Sequence, residues 1–72
     1  MPPKKRELKA ELCKAGFAVE PGKGSHTNWR HARLPGFRVT LSGHDGDDAR
    51  HYEIEAVREA LARLRAVERK EP

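Results

Sequence analysis

The sequence predicts a small α+β domain in the order helix, three strands, helix, with a three-stranded antiparallel sheet and both helices on one of its faces. Three observations carry this. The two ends of the chain repeat apolar residues at helical spacing, the middle alternates apolar and polar residues with period two, and glycine and proline clusters separate the segments. Two apolar helix stripes and one apolar sheet face satisfy each other as two packed layers.

Leu8, Leu12 and Ala15 recur at steps of four and three, which places one apolar stripe on a helix from Lys4 to Ala15. Pro3 suits the first turn, and Gly16 the position just past the end. Phe17 and Val19 alternate with Ala18 and Glu20 as a first strand, and Pro21-Gly22-Lys23-Gly24 reads as a turn. His26 to His31 forms a second strand with Trp29 its one large apolar residue. Arg33 to Gly36 is a loop. Phe37, Val39 and Leu41 then mark the clearest strand.

Gly43 to Asp48 is turn-rich, and its carboxylates are placed to cap the next helix. That helix runs from Tyr52 to about Glu68, with Ile54, Val57, Leu61, Leu64 and Val67 on its apolar side. Phe17, Val19, Trp29, Phe37, Val39 and Leu41 are expected to form the covered sheet face. Asn28, Arg30, Arg38 and Thr40 then fall on the other face, and alternation puts His26 with them.

Seventy-two residues make one domain, read here over 1–72 with a basic lead-in at 1–4 and a frayed tail at 69–72. The formal charge of +4 and the sequence pI near 9.6 favour an anionic partner such as nucleic acid. A single cysteine, Cys13, excludes an intramolecular disulfide and points to a reducing compartment. Its place beside Leu12 predicts a small packed residue rather than a nucleophile. No apolar run reaches the length of a membrane span, so a cytoplasmic protein without membrane contact is expected. No Cys-x-x-Cys pair is present, and neither a metal nor a small-molecule cofactor is expected.

The chemistry concentrates in Gly22-Lys23-Gly24-Ser25-His26, followed by Thr27-Asn28-Trp29-Arg30-His31. Backbone amides, a cation and a titratable imidazole within a few residues are the parts that hold a phosphate and move a proton beside it. The same residues also read as a plain hairpin, with glycines serving the turn and His26 a surface histidine. Trp29 reads as core rather than as a base-stacking platform.

With Lys14-Ala15-Gly16-Phe17 before it and Arg38-Val39-Thr40 after it, the Gly-Ser-His segment resembles the HicA-type toxins of bacterial toxin–antitoxin pairs, over roughly residues 5 to 65. The resemblance implies a fold like a double-stranded-RNA-binding domain and an mRNA-cleaving ribonuclease that acts without the ribosome. It further implies catalysis by the Gly-Ser-His histidine, here His26, and neutralisation by a HicB-like antitoxin. On this reading His26 is a general base toward a ribose 2′-OH, with Lys23, Arg30 and the amides of Gly24 and Ser25 on the phosphate. Imidazole, with an ordinary pKa of about 6.5, suits that task.

The proton donor to the leaving oxygen is left open between His31 and His44. A non-catalytic RNA-binding domain, or a module keeping only the antitoxin-binding surface, is the alternative. One stretch departs from the family pattern. Where members carry a lysine-rich, Gly-Thr-type lead into the last helix, this chain has Asp45, Asp47 and Asp48, and carboxylates there are expected to weaken phosphate binding on that side.

Overall fold

The computed structural model describes residues 1–70, and its elements follow the predicted order: α1 (Lys5–Lys14), β1 (Ala18–Pro21), β2 (Thr27–Arg30), β3 (Arg38–Leu41) and α2 (His51–Lys70). The strands form one antiparallel sheet in the order β1-β2-β3. α2 includes Arg69 and Lys70. The rest of the tail expected to fray, Glu71 and Pro72, lies outside the described residues.

Register fixes the two faces. Val19 pairs with Trp29 and Trp29 with Val39, so these three share the face toward the helices. Ala18, Arg30 and Arg38 form one row on the opposite face, and Glu20, Asn28 and Thr40 form the next. α2 packs over β3 and against α1. Leu12, Leu41 and Val57 are fully buried at the centre of the core, with Leu8, Phe17, Trp29, Val39 and Leu64 around them. The indole of Trp29 is satisfied inside the core, since its Nε1 donates to Thr27 Oγ1 at 3.0 Å.

Several expectations need correction. Val19 has the predicted facing, yet it is 50% exposed because edge strand β1 lies beyond the cover of α2. Cys13 is exposed on α1, not packed, because the buried stripe runs through Leu8 and Leu12. Pro21 belongs to β1 rather than to the turn, and an edge strand tolerates its missing donor. Leu34 lies in the loop expected at 33–36, and its side chain folds back into the core with 8% exposure.

The aspartate-rich loop does not cap α2. It caps α1 instead: the Lys5 and Arg6 N–H groups donate to the carbonyls of Asp47 and Asp45 at 2.9 and 3.1 Å. Lys4 pairs with Asp48 and Lys9 with Asp45, each at 2.6 Å, and these ion pairs hold the loop against the helix. The hydrogen bond and charge of Lys9 hold the Asp45 carboxyl below its ordinary value. α2 is capped from within its own first turn, where Glu53 accepts the Arg50 N–H at 2.9 Å.

Glu53 and Lys5 are charges buried in the core. Glu53 accepts N–H bonds from both Arg50 and Ser42, and Lys5 Nζ lies 3.4 Å from it while donating to the Ser42 carbonyl. Burial is the largest single influence on Glu53 and raises its pKa. The two N–H bonds and the Lys5 charge together outweigh it, so the group stays below its ordinary value. Through this pair α1, α2 and the end of β3 are tied at one point.

Candidate active site

Lys23, Gly24, Ser25 and His26 form the turn joining β1 to β2. The His26 N–H donates to the Lys23 carbonyl at 3.0 Å, and the Gly22 N–H donates to the His26 carbonyl at 2.9 Å. Gly24 has φ +60, while Ser25 keeps the negative φ of every non-glycine residue described. A positive φ at only the first central position is the pattern of a type II′ hairpin turn, which demands glycine there. The sequence reading of Gly24 as a turn glycine is therefore compatible with a site built on the same loop.

The loop is anchored from outside. Ser25 Oγ accepts the Gly43 N–H at 2.9 Å, linking the turn to the segment just past β3. His26 stands one residue before the pair Thr27 and Leu41, on a level with Ser42. The buried Lys5 and Glu53 hold Ser42 by its carbonyl and its N–H respectively. The backbone that the turn leans on is thus fixed by the buried ion pair.

His26 is exposed. A side chain on Gly22 would begin 3.3 Å from His26 Cβ and 3.5 Å from Asn28 Nδ2, so His26 leaves the chain beside Asn28 on the open sheet face. Lys23 is exposed, and among the described residues the Gly24 and Ser25 amides have no partner. Four of the five residues singled out from the sequence thus meet on one turn.

Arg30 does not join them. It lies at the far end of β2, four residues or about 13 Å along the strand from His26, and its Nε is 3.1 Å from Glu20 Oε1. Its side chain is paired with Glu20 on the strand, outside the turn that carries Lys23 and His26.

The two other histidines considered separate cleanly. The Nδ1 of His31 accepts the Arg33 N–H at 3.0 Å, so in the neutral ring the proton sits on Nε2, which faces the Ala15 carbonyl at 3.2 Å. Its ring also meets Phe17 edge-on at 5.0 Å. His31 is a structural tie between the end of α1 and β2, and it cannot reach the turn. His44 is exposed and borders a groove with Gly24, Ser25, Thr27, Gly43 and Lys9. Its N–H donates to Asp47 at 3.1 Å.

The sequence reading missed the buried Lys5 and Glu53. Their only signal was a glutamate three residues past a helix start, a pattern that names a cap but not its burial. It also passed over Asn28, whose Oδ1 accepts from Thr40 Oγ1 at 2.8 Å across the sheet.

The fold and turn define a small α+β domain with an open polar sheet face and an exposed histidine at the end of a tight hairpin turn. The family model described as HicA toxin of bacterial toxin–antitoxin systems matches residues 6–64, and the chain belongs to that family. Its class is therefore the toxin of a toxin–antitoxin pair, whose partner in general is an antitoxin of the HicB type. No curated protein and no solved structure matches the chain. Among the described residues no helix is long and apolar enough to cross a membrane.

Proposed function

We propose that this toxin is an endoribonuclease that cuts mRNA by transesterification at His26. The neutral imidazole takes the proton of a ribose 2′-OH, and the 2′-oxygen attacks the adjacent phosphorus. The bond to the 5′-oxygen breaks, leaving a 2′,3′-cyclic phosphate and a 5′-hydroxyl end. Lys23 and the amides of Gly24 and Ser25 stabilise the charge on the phosphoryl oxygens. The 2′-OH is itself the nucleophile, so the scheme calls for no metal, and DNA is inert.

His44, next to the Gly43 that holds Ser25, is the candidate donor to the leaving oxygen. His31 is committed elsewhere. The carboxylates expected to repel phosphate are largely neutralised, Asp45 by Lys9 and Asp48 by Lys4. A HicB-like antitoxin would silence the activity by binding the toxin.

The observation that carries this reading is an exposed histidine beside two backbone amides that have no partner among the described residues, in a chain of the HicA family. The test is cleavage of a labelled single-stranded RNA with chelator present, wild type against His26→Ala. A loss of about 10²- to 10⁴-fold with RNA binding retained is expected. Wild-type cleavage that survives the substitution, or cutting of DNA at the same rate, overturns it. Binding without any cleavage assigns the chain to the non-catalytic alternative.

A further inference from the structure

We propose that the open face of the sheet is the binding track for a single strand of RNA, with Asn28 on the phosphate beside His26 and Arg38, next to Arg30, on a phosphate further along. The inference rests on the reading of His26 as the cleaving residue, and it adds two contacts, Asn28 and Arg38, to that site.

The charge arrangement on this face asks for an anion. Arg30 and Arg38 are direct cross-strand partners, and like charges placed opposite each other in a sheet are destabilising. Glu20 neutralises only one of them, through Arg30. Arg38 is exposed and has no carboxylate partner among the described residues. A phosphodiester laid over this row relieves the repulsion and uses a guanidinium geometry suited to phosphate.

Asn28 supplies the second contact. Thr40 Oγ1 donates to its Oδ1, which fixes the carboxamide and turns Nδ2 away from Thr40. Among the described residues that Nδ2 has no acceptor. It lies close to the start of the His26 side chain, as the geometry around Gly22 shows. A half-buried amide held by one neighbour, with its two hydrogens unclaimed beside the proposed base, is a ready donor to a phosphoryl oxygen.

The row from His26 through Asn28 to Arg30 and Arg38 spans about 13 Å along β2. That length suits one strand rather than a duplex, which is read across successive grooves. In-line attack by a 2′-oxygen also requires an unpaired nucleotide free to leave A-form geometry. The helix face near the loop competes poorly, because Lys4, Lys5 and Lys9 of that region are all held by carboxylates. Among the described residues, the paired strand positions of the open face are Ala18, Glu20, Asn28, Arg30, Arg38 and Thr40, with no Phe, Tyr or Trp among them. Without a large aromatic platform, contact is chiefly through the backbone, with little base preference.

The test uses the full chain carrying His26→Ala, so that RNA is bound but not cut, and a labelled single-stranded RNA titrated at several salt concentrations. Adding Arg38→Ala is expected to weaken binding several-fold and to reduce the log–log salt slope by about 0.7, the share of one phosphate on a single strand. Adding Asn28→Asp, which keeps the shape and sets a carboxylate against the phosphate, is expected to weaken binding further. Arg65→Ala, which removes the same charge from α2, leaves affinity and slope unchanged.

Affinity and slope unmoved by both Arg38→Ala and Asn28→Asp overturn the track. So does duplex RNA binding more tightly than single strands with no dependence on Arg38. Wild-type protein that binds RNA through Arg38 and never cuts it leaves the track standing while the cleavage reading falls. Cleavage that depends on His26 and ignores Arg38 does the reverse.

Discussion

Replacing Glu53 by glutamine removes the buried anion that Lys5, Ser42 and Arg50 all face. Its two oxygens serve different donors, Oε2 the Ser42 N–H and Oε1 the Arg50 N–H and the Lys5 ammonium. Glutamine offers one oxygen and one NH₂, so one backbone N–H meets a donor and the Lys5 charge stays buried without an anion. Breaking a buried pair from one side costs about 3–5 kcal/mol. A chain of this length is expected to have only about 4–11 kcal/mol of total stability. The substitution therefore removes a large share of it.

Urea unfolding followed by far-UV circular dichroism measures the loss. With a slope of about 1 kcal/mol per molar urea, the midpoint moves down by roughly 3–5 M. Adding Lys5→Met to the same chain removes the stranded cation and is expected to recover part of the loss. A Glu53→Gln midpoint within about 1 M of wild type at unchanged slope would refute the argument, because the pair would then not be carrying the junction of α1, β3 and α2.

Three further outcomes follow from the same structure. Glu53 is held below its ordinary pKa of 4.5, so its stabilising effect is complete above that value and is lost as pH falls through the lower folded value; acid unfolding curves should show this loss below about pH 4.5, and Glu53→Gln should flatten it. His31→Ala removes the tie to Ala15 and Arg33, so a loss of about 1–3 kcal/mol in denaturation is expected while cleavage per folded molecule is unchanged. Gly43→Ala forces a side chain to within 2.6 Å of Lys5 Nζ at a φ of +88; it should lower the melting temperature and reduce cleavage together, since the Gly43 N–H also holds Ser25.

Much of the fold was legible because short-range periodicity reports which side of an element is covered. The stripe through Leu8 and Leu12, the alternation around Val39 and Leu41, and the repeat from Val57 to Leu64 each appear in the chain and in the core. Val19 shows the limit of that signal. Alternation gives its facing, whereas exposure depends on how far a distant helix reaches across the sheet. The turn carrying Lys23, Gly24, Ser25 and His26 was equally legible, since four consecutive residues cannot be far apart. Arg30 stands away from that turn, because strand residues close in sequence are spread along a line.

By itself the sequence determined the element order, the apolar faces, the family and the histidine-bearing turn, because these are written in local spacing and residue type. Folding in three dimensions set the rest: the aspartate loop caps α1, Lys5 and Glu53 meet in the core, and Arg38 stands beside Arg30 without a carboxylate partner among the described residues. Each of those joins residues brought together by strand register or by packing of the two ends of the chain. Charges 48 residues apart in sequence, such as Lys5 and Glu53, carry no local signature of their pairing. Their partnership exists only once the core has closed around them.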